Sequence, residues 1–188
     1  MSSDAFDDRR QALEDQFFKK QNDAALQKLK DQQARAATTA EIQRLTGITN
    51  PAVLDALCNL KLGGAAVMVM SLFPLIEVAW ADGSVTEKER RVVLQQAENV
   101  GVGAGTEAAL LLAQWLDEKP ELSWYQLWAD YVGELVKRMK PEERELLKNE
   151  VLGRARLVAE ASGGFLGAGF AVSAAEKAVL ANLEKAFA

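Results

Sequence analysis

Two stretches of the sequence share the same order of residue types, and this repetition restricts the fold more than any other feature. Residues 77–94 read EVAWADGSVTEKERRVVL, and residues 157–180 read LVAEASGGFLGAGFAVSAAEKAVL. In each, an apolar run ends at a polar residue and a glycine, and a new helix begins at Thr86 or Ser173, with Glu89 or Glu176 three residues later. This spacing is typical of a capping box, in which the hydroxyl and the carboxylate each accept a hydrogen bond from a backbone amide. We therefore expect one helix-turn-helix unit at two places in the chain.

The glycines between the helices favour the same interpretation. Gly83 and Gly163 stand where a helix needs a closing residue in the left-handed conformation. A helical hairpin cannot bury its own apolar face, so we expect the two hairpins to pack on each other about a pseudo-twofold axis.

The rest of the chain has the 3.6-residue periodicity of helices and no sustained β alternation. Asn50 and Pro51 are expected to begin a helix, and Pro74 to kink or divide another. Ser123 and Gln126 resemble a further capping box, at the start of a helix whose aromatic residues we assign to core packing. The sequence thus predicts an all-α protein, a compact bundle of about seven helices with pseudo-twofold paired hairpins, plus an N-terminal helical extension.

The N-terminal extension, residues 1–46, differs from the predicted domain, residues 47–188. Between Asp4 and Leu45 there is no glycine or proline, charges of both signs are interleaved, and apolar residues are sparse. We expect one or two exposed helices that contact a protein partner or a second copy; a solvated, partly frayed leader is the alternative. The candidate contact residues, including two in the glycine-rich loop after Ser162, are Phe6, Leu13, Phe17, Phe18, Phe165 and Phe170.

Composition argues against several classes of function. A net charge of −5 disfavours binding to nucleic acid, which needs clustered lysine and arginine. The chain has no histidine and one cysteine, Cys58, so a Cys–His nucleophile cannot form and a zinc site is not expected. We expect no catalytic residues and no enzymatic activity.

One apolar segment, residues 62–81, comes close to the length of a membrane span. Glu77 interrupts it after about fifteen uncharged residues, short of the roughly 20 that a spanning helix needs. We therefore expect a buried core helix and no membrane span. No apolar run lies near the start of the sequence, from which we expect a cytoplasmic protein.

The Ala-Asp-Gly turn followed by an acidic capped helix, and the second capped hairpin ending at Glu176, resemble the TerB-like superfamily of bacterial tellurite-resistance proteins. The resemblance covers about residues 50–187. It implies a helical bundle without known catalysis, a stress-response or envelope-associated context, and acidic turns that are suspected of binding metal. Where the pattern would place aspartate in the second unit, this chain has Ser162.

Two functional hypotheses follow. The first is a non-enzymatic interaction module that recruits a partner or another copy through the N-terminal segment, with no cofactor. The second is a divalent-cation site for Ca²⁺ or Mg²⁺, since these ions prefer clustered carboxylate oxygens. Its candidate ligands are Asp82, Glu77, Glu160 and Glu176. Helix capping explains Thr86, Glu89, Ser173 and Glu176 without a metal ion.

Overall fold

The computed structural model describes residues 3–162 and 172–188, with the side chains of residues 3–15, 18 and 162 outside that description. These ranges contain eight helices and no strand, which confirms the all-α class. The helices are α1 (Ser3–Thr46), α2 (Pro51–Asn59), α3 (Ala65–Ala79), α4 (Glu87–Asn99), α5 (Glu107–Asp117), α6 (Leu122–Val136), α7 (Pro141–Ser162) and α8 (Ala174–Lys185).

The chain divides into two units, Met1–Ala40 and Glu41–Ala188. The first unit consists of α1, which continues without a break into the last turn that belongs to the second unit. That turn carries Ile42, which is fully buried in the second unit. The second unit also contains the seven helices α2–α8, the number that the sequence predicts for the bundle.

Helix α3 lies at the centre of the second unit, in contact with α2 and with each of α4 to α8. Its buried residues include Met70, Phe73 and Ile76. Pro74 is also buried, and the helix continues through it to Ala79 as one element. Among the described helices, none combines the length and the apolar character that crossing a bilayer requires.

The two predicted hairpins, α3–α4 and α7–α8, pack on each other. Helix α3 lies against α7, α4 also packs on α7, and α8 packs on α3. A twofold axis that exchanges the hairpins requires this reciprocal pattern, because it converts the α4–α7 contact into the α8–α3 contact. The paired arrangement buries apolar faces that neither hairpin could bury alone.

An aromatic cluster joins α3, α5 and α6 to the end of the chain. The Trp115 ring lies edge-on to Phe73 and to Trp124, with centroid separations of 5.5 and 4.7 Å. Trp128 is 1% exposed and packs edge-on against Phe187 at 6.2 Å. Edge-on pairs of this kind contribute about 0.5–1.5 kcal/mol each beyond the area that they bury. These aromatic residues therefore pack the core, as expected from their helical spacing.

The capping box that we predicted at Ser123 is wrong. Helix α6 begins at Leu122 after an extended Glu121, and no side chain caps it. Ser123 therefore lies within the first turn, where its hydroxyl cannot act as the N-cap, and Gln126 instead donates to Asp130 Oδ1 at 3.0 Å.

Candidate functional site

The first capping box holds a buried carboxylate at the start of α4. The backbone N–H and the hydroxyl of Thr86 both donate to Glu89 Oε2 at 2.7 Å, and the N–H of Glu89 donates to Thr86 Oγ1 at 3.3 Å. Glu89 is 1% exposed. Its carboxylate is thus directed at the helix start by local hydrogen bonds, as the sequence spacing predicts.

The second capping box repeats this geometry at the start of α8. The N–H of Ser173 donates to Glu176 Oε2 at 2.6 Å, and the N–H of Glu176 donates to Ser173 Oγ at 3.2 Å. Glu176 is 3% exposed. Glu89 and Glu176 are the buried charged residues of the described chain.

The charge of Glu176 acts on Glu89 across the hairpin pair. Burial raises the pKa of Glu89, the hydrogen bonds from Thr86 lower it, and the nearby charges of Asp82 and Glu176 raise it again. Asp82 and Glu176 are therefore both close enough to Glu89 to act on its charge. This juxtaposition arises because the pseudo-twofold pairing brings the two helix starts together.

Asp82 itself lies in an exposed turn. Its Oδ1 accepts a hydrogen bond from the N–H of Ser84 at 3.1 Å. Gly83 has φ +95°, the left-handed conformation expected of a residue that closes a helix. Gly163, the corresponding residue of the second unit, lies outside the described residues.

Glu77 lies in a different electrostatic environment from the capping glutamates. Burial raises the pKa of Glu77, and the positive charge of Lys119 lowers it in part. The pKa of Tyr125 is also raised, first by burial and then by the negative charge of Glu77. Glu160 is exposed on α7. Within the described residues, no three acidic or cysteine side chains are grouped so that they could hold a metal ion.

The exposed surface of α1 is the second feature of interest. Every described side chain from Gln16 to Ala37 is exposed. The apolar residues are included, with Phe17 at 58%, Leu26 at 57% and Leu29 at 54% exposure. The other candidate contact residues lie wholly or partly outside the described part of the chain. This applies to the side chains of Phe6, Leu13 and Phe18 and to all atoms of Phe165 and Phe170.

Sequence reasoning missed a cleft of about 550 Å³ between α2 and α6. At its edge, Glu134 Oε1 accepts hydrogen bonds from Lys137 Nζ at 2.6 Å and from Asn50 Nδ2 at 3.2 Å. These hydrogen bonds, that of Lys137 foremost, lower the pKa of Glu134. Only the helix-capping role of Asn50 could be predicted, because Glu134 is 84 positions away in the sequence.

Comparison of the chain with protein-family models, with curated proteins and with solved structures finds no match.

Proposed function

We propose that this protein is a non-enzymatic helical interaction module of the TerB-like type, in which α1 recruits a protein partner or a second copy. The observation that carries the proposal is the exposure of α1, which extends over every described side chain from Gln16 to Ala37. A bacterial stress-response context is part of the proposal only through the resemblance of the two capped hairpins to the TerB-like superfamily.

The physical argument concerns the stability of α1. Helices derive most of their stability from the packing of an apolar face rather than from the propensities of their residues. The described side chains from Gln16 to Ala37 are exposed, and among them the apolar Leu26 and Leu29 are 57% and 54% exposed. A partner that covers this face would bury apolar surface, which contributes about 25 cal/mol for each Å².

The chemistry available to the chain supports a role without catalysis. The sequence has no histidine, and its one cysteine, Cys58, is buried in the core. The two buried carboxylates, Glu89 and Glu176, accept hydrogen bonds from the backbone at helix starts. These groups are thus used in holding the hairpins, which fits a module that presents a surface.

Deletion of the first unit tests the proposal. The truncation should end at Ala40, because removal of Ile42 would take a buried side chain from the second unit. We expect the truncated protein to keep a cooperative thermal transition but to lose partners or self-association, measured by pull-down and by light scattering after size exclusion. The same number of copies in the assembly and identical partners for the two proteins would overturn the proposal.

A divalent-cation site at the Asp82 turn is the second candidate; the charges of Asp82 and Glu176 both act on Glu89, although no three acidic side chains of the described chain are grouped so that they could hold an ion. Calorimetric titration with Ca²⁺ or Mg²⁺ tests it. Asp82→Asn is the appropriate variant, because its side-chain oxygen can still accept the Ser84 hydrogen bond while the charge is lost. Binding heat that disappears in Asp82→Asn supports the cation site, and absence of heat at millimolar metal eliminates it.

A further inference from the structure

Charges of both signs occur along the whole of α1, but their balance changes along the helix. Between Asp4 and Asp15 there are five acidic residues and two arginines, whereas between Gln16 and Ala37 there are five basic residues and two aspartates. Because α1 is one continuous helix from Ser3 to Thr46, the two groups occupy successive lengths of the same rod. One end of the rod is therefore acidic and the adjoining length is basic.

A more specific order appears at positions seven residues apart. Asp7, Glu14, Gln21, Lys28 and Arg35 follow one another at this spacing. Residues seven apart lie on nearly the same side of a helix, with a drift of about 20° for each interval that supercoiling removes. These five residues, here called the charged edge, run from acidic through neutral to basic, with Gln21 at the midpoint.

We infer that α1 pairs with α1 of a second copy in the antiparallel direction, with Gln21 at the centre. This inference rests on the proposed function and specifies the partner. When Gln21 of one copy lies opposite Gln21 of the other, Glu14 faces Lys28 and Asp7 faces Arg35, because each pair is symmetric about the centre. A twofold axis then repeats the same contacts, so the interface closes as a dimer.

A parallel pairing in register matches fewer opposite charges. In that arrangement each residue of the charged edge meets the residue five positions further along on the other edge of the second copy, so Asp7, Glu14, Gln21 and Lys28 meet Ala12, Lys19, Leu26 and Gln33. Glu14 with Lys19 is then the one match of opposite charges, whereas the antiparallel pairing matches both Asp7 with Arg35 and Glu14 with Lys28. Charge pairs beside a helix seam determine the orientation of the partner, so the order of charges favours the antiparallel arrangement.

The seam beside the charged edge permits close approach but provides limited apolar surface. The half of the seam that follows Gln21 contains small and polar residues around one leucine: Asn22, Ala25, Leu29, Gln32 and Ala36, all exposed. Association through such a seam depends strongly on charge. We therefore expect it to weaken as ionic strength rises, since exposed charges are screened over about 10 Å at 0.1 M salt.

Charge-reversal variants of the full chain test both the pairing and its direction. Changing Lys28 and Arg35 to glutamate makes the whole edge acidic apart from Gln21, and should weaken self-association by about tenfold or more, as attractive pairs become repulsive. Adding Asp7→Lys and Glu14→Lys reverses the edge completely and should restore self-association. A matched control, Lys20→Glu with Lys30→Glu, makes the same change in net charge away from the charged edge and should have a smaller effect.

The fully reversed variant also distinguishes the two directions when it is mixed with the parent. In the antiparallel arrangement it pairs with itself and not with the parent, whereas in a parallel arrangement position 14 would meet Lys19, and the reversed variant would pair with itself no better than with the parent. Masses measured by sedimentation, with one protein fluorescently labelled, separate these outcomes. Pairing with the parent overturns the inference.

The failure of this inference differs from the failure of the proposed function. A parent chain that stays monomeric at low salt, but loses a defined protein partner when residues 1–40 are deleted, overturns the α1 pairing and leaves the interaction module standing. The same oligomeric state and the same partners with and without residues 1–40 would overturn both.

Discussion

Replacement of Glu89 with glutamine should flatten the dependence of stability on pH. The pKa of Glu89 is raised above its ordinary value of 4.5, by burial first and by the charges of Asp82 and Glu176 in addition. The folded protein therefore binds this proton more tightly than the unfolded chain does. The resulting stabilisation is fully present below pH 4.5 and is lost as the pH rises through the raised pKa of the folded state.

Glutamine removes the charge but keeps an oxygen that can accept hydrogen bonds from the Thr86 N–H and hydroxyl. At neutral pH we expect Glu89→Gln to be at least as stable as the parent, and we expect its advantage to shrink as the pH falls towards 4.5. Glu89→Ala, by contrast, leaves both Thr86 donors without their acceptor and should cost about 1–2 kcal/mol.

Urea unfolding between about pH 4 and pH 8 measures these differences, since this range begins near the ordinary pKa of the carboxyl and extends in the direction of its shift. Glu176→Gln serves as the companion variant, because loss of its negative charge should lower the pKa of Glu89 and flatten the profile in part. The reasoning fails if the free energies of unfolding of the parent and of Glu89→Gln follow parallel curves over this range.

Two further predictions concern the frame that holds the site. Gly83→Ala should destabilise the protein by about 1 kcal/mol, because a Cβ strains the left-handed backbone at this position. The control Gly103→Ala should be nearly neutral, since Gly103 has no positive φ and no atom lies within 4 Å of a new Cβ there. Equal melting temperatures for the two variants would contradict this explanation. Trp80→Phe should lower the free energy of unfolding, measured in urea, by about 1–2 kcal/mol. The reason is that Trp80 Nε1 donates a hydrogen bond to the carbonyl of Trp115 at 2.7 Å, which phenylalanine cannot make. A loss no larger than that of a substitution at an exposed site would show that solvent replaces this hydrogen bond.

The features that sequence predicts well are those whose energetics are local. Both capping boxes and the left-handed Gly83 could be identified because a helix end exposes amides and carbonyls that only nearby residues can satisfy. The paired hairpins then follow from their apolar faces, which must be buried against something. The sequence therefore indicates the centre of the fold through its helix ends.

The features that sequence misses depend on contacts between distant residues. A pair of glycines at Gly63 and Gly64 suggests only a break between helices, but a Cβ on Gly64 would lie 2.7 Å from Glu41 Oε1 at the end of α1. The last turn of α1 is thus part of the second unit, although its composition resembles the rest of the extension. The start of α6 was likewise misplaced, because Ser123 satisfies the capping pattern equally well from a position inside the helix.

The capping and the cation interpretations assign different roles to the carboxylate of Glu176. In the capping box its Oε2 accepts the Ser173 N–H at 2.6 Å, in an environment where the side chain is 3% exposed. A hard cation such as Ca²⁺ takes six to eight oxygen ligands, so it needs several carboxylates and an approach for water. A carboxylate that is buried and directed towards the backbone of its own helix start offers few of these oxygens. For that reason the proximity of Glu89 and Glu176 is better explained as the consequence of two helix starts that meet at a pseudo-twofold axis.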